Sequence, residues 1–177
     1  MQPLSDIRVL AVTVYLAGPF TSMTLARMGA EVIKVEIPGK GDPVRGNGPF
    51  AGPKGTSPQI QTDVDLSTRF LKRTQGVKSV TLNLRHPKGQ EILHKLVSKG
   101  DVVVDNYRPS TAKRLGIAYE ALSAINPRII SCSLSGFGDV PGYENKPAFD
   151  SIVQAMGGAM SVTGKEGGPP AAMGFPL

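Results

Sequence analysis

An α/β fold, an open and mainly parallel sheet with helices on both faces, is predicted by three observations. Short apolar runs rich in β-branched residues recur at Ile7 to Val12, Val32 to Val35, Ser79 to Leu84, Val102 to Val104 and Ile129 to Ser133. Helix-length segments separate most of these runs, which is the spacing that parallel pairing requires. Prolines stand where helices should begin and glycines where they should end, as at Pro87 and Gly100.

The stretch from Ile7 to Glu36 is the nucleus. Ile7, Val9, Leu10 and Val12 form a first inner strand, and Val32, Ile33 and Val35 form a second after one helix. Pro19 is placed in the first turn of that helix and Gly29 just past its end. Phe20, Met23, Leu25 and Met28 point around most of the helix, so burial on more than one side is expected. Its leading turn, Val14 to Pro19, holds one glycine and a bulky Tyr15-Leu16 pair, which does not fit the G-x-G-x-x-G loop of dinucleotide sites. Glu36 only imitates the ribose-binding acid of that motif. Gly164-Lys165 lacks the glycine and hydroxyl spacing of a phosphate-binding loop.

From Ile37 to Asp65 glycine and proline are too frequent for any regular element, so a long shaped loop is expected. Asp65-Leu66-Ser67 then caps a short helix through Arg73, and Ser79 to Leu84 is the third strand. Pro87 opens a helix with Ile92, Leu93, Leu96 and Val97 on its buried face and Lys88, His94, Lys95 and Lys99 in solvent. His86, in the turn before it, has no evident catalytic partner. Val102 to Val104 is the fourth strand. A helix from Tyr119 stops at Asn126-Pro127, and Ile129 to Ser133 is the fifth strand. Asp150 caps an apolar helix through Met156, and the tail from Gly164 is a loop.

A chain of 177 residues suits one sizeable core, and one domain is expected. One cysteine, Cys132, excludes an internal disulfide framework and reads as a buried strand residue. No apolar run reaches the ~20 residues of a membrane span, and the N-terminus lacks signal-peptide features, so a soluble cytoplasmic protein is expected. The net charge of +6 comes from scattered basic residues without interleaved aromatics, which argues against nucleic acid and leaves an anionic small ligand open. No metal site is expected, because neither histidine has a neighbouring ligand residue.

The best physical site candidate is the fourth strand's end, Asp105-Asn106-Tyr107-Arg108-Pro109-Ser110. Open parallel sheets bind ligands beyond their carboxyl ends. Asn106 donates and accepts, Tyr107 offers a flat face, and Arg108 and Arg114 can pair with phosphate.

Taken in order, LAGPF at Leu16, GAEVIKVE at Gly29, PGKGD at Pro38, KSVTLNL at Lys78, DVVVDNYRP at Asp101, RLGIAYEALSAINPRII at Arg114, SGFG at Ser135 and FDSIVQAMGG at Phe149 resemble the class III CoA-transferases, the CaiB/BaiF family. The resemblance covers essentially the whole chain. It implies a Rossmann-like sheet, with residues 1–177 forming the CoA-binding, amino-terminal part of that family's large domain. It also implies coenzyme A as cofactor, an acyl-CoA and a carboxylic acid as partners, and an intertwined homodimer at full length. Positions matching the family's CoA contacts are Tyr15, Leu16 and Ala17 in the first turn, and Leu82 on the third strand. Asn106, Tyr107, Thr111, Arg114 and Leu115 match around the fourth strand end, and Ser135, Gly136 and Phe137 after the fifth. Ile37 stands where many members carry arginine, a departure that weakens phosphate pairing unless Lys40 or Arg45 substitutes. Arg73 to Val77 also departs from the family pattern.

The family's chemistry depends on an aspartate that attacks the acyl-CoA carbonyl, giving an acyl–aspartyl anhydride and CoA thiolate. That residue follows a turn like Gly174-Phe175-Pro176-Leu177, so it is expected about two residues beyond Leu177, with no catalytic residue inside the chain. A fragment unable to perform the transfer alone is the resulting expectation, with a non-catalytic CoA-binding module as an alternative. The other alternative, an α-methylacyl-CoA racemase, needs a histidine where this chain has Phe149, and a phenyl ring moves no proton.

Overall fold

In the computed structural model, which describes residues 2–138 and 140–174, the chain begins β1 (Arg8–Val12), α1 (Ala17–Arg27), β2 (Glu31–Glu36) and a 3-10 turn (Pro43–Gly46). Short strands β3 (Phe50–Gly52), β4 (Gly55–Ser57) and β5 (Leu66–Ser67) follow, then α2 (Thr68–Arg73), β6 (Val77–Thr81) and α3 (Pro87–Val97). Next come β7 (Val102–Asp105), α4 (Pro109–Leu115), α5 (Tyr119–Ile125), β8 (Ile130–Ser133), α6 (Asp150–Met156) and a second 3-10 turn (Ala159–Val162).

β1 sits at the centre of the main sheet because Val9, Leu10 and Ala11 have no polar side-chain group to keep in water and all are fully buried. The order is β6-β2-β1-β7-β8, with every pair parallel. Two apolar layers flank it. Leu93 and Val97 of α3, Ala112 and Leu115 of α4 and Leu122 of α5 pack with Leu10, Val12 and Val103. Leu25 and Ala26 of α1 pack against Val9, Ala11, Val32 and Val104 on the other face. Each fully buried Val or Leu contributes about 1.5–3 kcal/mol. The expected open parallel sheet with helices on both faces is therefore present. Packing divides the chain into two compact units, Met1–Leu134 and Ser135–Leu177.

Several local expectations are corrected. α1 has Pro19 in its first turn as expected, but its buried residues are Gly18, Pro19, Ser22 and Met23, while Phe20 and Met28 are exposed, so the helix buries one side. Ile92 is exposed for the same reason, because the contact face of α3 runs through Gly89, Leu93 and Val97. The segment from Ile37 to Asp65 is not structureless: β3 pairs antiparallel with β4 and β5 through Phe50↔Ser57 and Ala51↔Leu66. β6 ends at Thr81, so Leu82 lies just past the third strand. His94 is half-buried, with Nε2 at 3.2 Å from the Gly116 carbonyl, and is not a solvated residue. His86 occupies the N-cap of α3, where its Nδ1 accepts from Lys88 N–H at 3.2 Å. Cys132 is half-buried.

Candidate functional site

The reversal of strand order falls between β1 and β7, and a cleft of about 380 Å³ opens at the carboxyl ends of the strands beside it. Val12, Val35, Leu82, Leu84 and Leu115 supply its apolar lining, Tyr107 and Thr111 add a ring and a hydroxyl, and Lys40, Arg85 and Arg114 bring three cations. None of these cations joins an ion pair among the described residues. The arrangement suits a polyanion with an apolar body: phosphates pair with guanidinium and ammonium groups while a flat or aliphatic portion covers the floor.

Glu36 also lines the cleft, but its charge is already engaged. Arg45 donates from Nε to Oε1 at 2.9 Å and from Nη2 to Oε2 at 2.7 Å, Ser79 Oγ donates to Oε2 at 2.6 Å, and Asp42 N–H donates to Oε1 at 2.8 Å. Burial opposes ionisation, yet these donors outweigh it and hold the carboxyl at about 2. The Arg45 guanidinium also stacks 3.7 Å over the Phe70 ring. Arg45 is thereby committed to Glu36, and of the two candidates to replace an arginine at Ile37 it is Lys40 that lines the cleft.

Beside this network the turn leading into α1 is gripped by side chains from four segments. Lys34 Nζ donates to Thr13 O at 2.6 Å and pairs with Asp42 Oδ2 at 2.8 Å, both side chains almost fully buried. Asn106 Oδ1 accepts from Val14 N–H at 2.8 Å while its amide donates to Val14 O at 2.8 Å, bridging the ends of β1 and β7. Tyr15 N–H donates to Asp42 Oδ1 at 3.1 Å, and Arg73 Nη1 donates to Tyr15 O at 3.1 Å. Gly18 permits the close approach: a Cβ there would lie 2.5 Å from Thr13 Cγ2 and 3.0 Å from Asn106 Oδ1.

On the other side of β1, Asp105 is fully buried and accepts from Ser133 Oγ and, at 3.0 Å, from Tyr107 N–H. Burial pushes its carboxyl above the usual aspartate range, only partly offset by those two donors. The Tyr107 phenol is pushed up as well, by burial and then by the charges of Asp42 and Asp105, so it presents a neutral hydroxyl.

Of the residues singled out from sequence, Leu82, Tyr107, Thr111, Arg114 and Leu115 line the cleft together. Asn106 instead serves the turn, and Tyr15, Leu16 and Ala17 form that turn and the start of α1 without lining the cleft. Asn83 and Arg85 were not singled out; their signal was their place directly after the third strand, where a parallel sheet presents its ligand side. Ser135, Gly136 and Phe137 belong to the second unit. There Phe137 meets Tyr143 with ring centroids 5.5 Å apart, and a Cβ on Gly136 would collide with Ala148. In that unit Asp150 is the first residue of α6 and not its cap, a position Phe149 takes; its Oδ2 accepts from Gln154 Nε2 at 2.8 Å. Phe175, Pro176 and Leu177, on which the position of the nucleophile was reckoned, lie outside the described residues. Among the described residues no group of three or more His, Cys, Asp or Glu could hold a metal, and no helix is long and apolar enough to cross a membrane.

A family model described as CoA-transferase family III matches residues 4–177. The chain is 40% identical over 177 residues to the succinyl-CoA:glutarate CoA-transferase of Mus musculus, covering 100% of this chain and 38% of that protein. It is 43% identical over 176 residues to the succinyl-CoA–D-citramalate CoA-transferase of Chloroflexus aurantiacus, covering 99% and 41%. A crystal structure of a CaiB/BaiF family protein from Brucella suis superposes with a TM-score of 0.86 at 35% identity, over 98% of this chain and 44% of that one. The chain thus spans about two-fifths of the length of the curated relatives it matches.

Proposed function

Because the chain belongs to CoA-transferase family III, we propose that its strand-end cleft holds the CoA portion of an acyl-CoA during transfer of CoA from that donor to a carboxylic acid. The observation that carries this reading is the convergence of Lys40, Arg85 and Arg114, none of them in an ion pair among the described residues, on an apolar floor beside Tyr107. The cations take phosphates, and the floor and ring take the adenine or the pantetheine. The charge of Glu36 is balanced by Arg45, with Ser79 as a further donor, which limits its repulsion of that ligand.

In the chemistry the family resemblance implies, a carboxylate attacks the thioester carbonyl, an anhydride forms and the CoA thiolate leaves. The reading assigns these 177 residues the holding of CoA and assigns the attack to an aspartate beyond Leu177. We extend it to an intertwined homodimer and a cytoplasmic setting for the full-length enzyme, which sedimentation and fractionation of that enzyme test.

Calorimetric titration of the folded chain with CoA is expected to show saturable binding that weakens with salt. Arg114→Ala and Arg85→Ala should each weaken it about tenfold. Absence of binding by the folded chain, or binding indifferent to both substitutions, contradicts the proposal.

A further inference from the structure

The turn Thr13-Val14-Tyr15 carries a conformation it would not choose. Tyr15 has φ 63, the one non-glycine residue with positive φ among those described. An aromatic residue in the left-handed region is disfavoured, so something must hold it there. Five backbone groups of the turn are engaged by side chains from elsewhere: Thr13 O by Lys34, Val14 N–H and O by Asn106, Tyr15 N–H by Asp42 and Tyr15 O by Arg73. Asp42 is the hinge of this arrangement. Its Oδ1 accepts from Tyr15 and from Val44 N–H at 3.0 Å, fixing the turn to the segment that follows β2. Its Oδ2 meets Lys34, whose ammonium reaches Thr13 of the same turn.

We infer that Asp42 and Lys34 are positioning residues, a buried ion pair that keeps Tyr15 left-handed and so fixes the direction in which the chain enters α1. Neither lines the cleft, and both side chains are almost fully buried. A buried pair of this kind adds little net stability, because desolvating both charges offsets their attraction, whereas its geometric demands are strict. Its value here is to select one backbone conformation. The inference rests on the CoA reading for its consequence, since this turn follows β1, whose Val12 lines the cleft, and the family resemblance matches Tyr15 to Ala17 to CoA contacts, but the conformational claim stands apart from any ligand.

The test separates the two. Removing one charge alone strands the other and can unfold the chain, so the pair is replaced together as Lys34→Met with Asp42→Leu. It is placed once in the natural background and once with Tyr15→Gly, since glycine adopts positive φ without strain. Folding of all variants is verified by circular dichroism and urea melts. The three-bond HN–Hα coupling of residue 15 in the unliganded chain reads φ directly, independent of the lost Asp42 acceptor, and the Kd for CoA reads the consequence. With Tyr15 present, loss of the pair should shift that coupling to the value of a negative φ and weaken CoA binding by about tenfold, the scale of a left-handed non-glycine residue released to its preferred state. In the Tyr15→Gly background, loss of the pair should weaken CoA binding no more than about twofold, because glycine no longer needs to be held. Equal losses in both backgrounds, or none in either, overturn the inference. If the natural chain binds no CoA, the CoA reading fails alone, and the HN–Hα coupling at Tyr15 still decides whether the pair positions the turn: an unchanged coupling after loss of the pair overturns the inference.

Discussion

Two buried carboxylates end the strands that flank β1, Glu36 on β2 and Asp105 on β7, and their acidities move in opposite directions. Burial opposes ionisation at both, more strongly at Asp105. Glu36 has a guanidinium in two-point contact, a serine hydroxyl and an amide, and is driven down to about 2. Asp105 has a serine hydroxyl and an amide but no cation, and is raised. Burial and partner both contribute to the difference: Asp105 is the more deeply buried and its two neutral donors leave the desolvation cost uncovered, whereas the aligned arginine on Glu36 reverses the sign. It also divides the labour of the strand ends. The β2 side is locked in charge and geometry, while the β7 side orients Asn106 and Tyr107 without adding a fixed cation.

The sharpest way to break this comparison is Arg45→Met, which keeps a side chain near Phe70 but strips Glu36 of its counter-charge. It should cost about 3 kcal/mol in urea unfolding at neutral pH. Glu36 has a folded pKa below its ordinary 4.5, so its stabilisation is present above 4.5 and lost as pH falls through about 2. The gap between natural and Arg45→Met proteins should therefore close as the pH is lowered across that window. A constant gap would show that Arg45 stabilises through the Phe70 contact and not through Glu36.

A smaller loss, on the order of 2 kcal/mol at neutral pH, is expected for Ser79→Ala, which removes one donor from a buried charged acceptor. Urea melts measure it. A cost no larger than that of a surface substitution would mean that Arg45 alone accounts for the low pKa of Glu36.

The smallest effect should have the opposite sign. Asp105 has a folded pKa above its ordinary 3.8, so its contribution is most favourable below that value and is lost as pH rises through the raised one. Asp105→Asn keeps an acceptor for Tyr107 N–H and removes the charge, and it should gain on the order of 1 kcal/mol at neutral pH. The gain should vanish in acid. Stability measured against pH that falls for Asp105→Asn at neutrality would show that the charge itself is needed at the end of β7.

The sheet was legible in the sequence because inner parallel strands are nearly continuous apolar runs, and Val9 to Val12 or Val102 to Val104 allow few other readings. Part of the cleft lining was legible too, since residues after a strand end are placed by topology, as Tyr107 and Arg114 show. What stayed hidden depends on distant pairing. β3, β4 and β5 are two or three residues each, made strands only by one another, and their glycines read as loop. Lys34 looks like any strand lysine until Thr13 and Asp42 close around it. Glu36 stood where a ribose-binding acid would stand, and only the fold brings Arg45 and Ser79 to its two oxygens.

That CoA lies at the carboxyl ends of these strands is the central claim, and amide spectra of the isotopically labelled chain titrated with CoA test it most directly. Shifts concentrated at Leu82 to Arg85 and Asn106 to Leu115, with β3 and β4 unmoved, are the predicted result. Shifts concentrated on β3, β4 and β5 with the strand ends unchanged would contradict it.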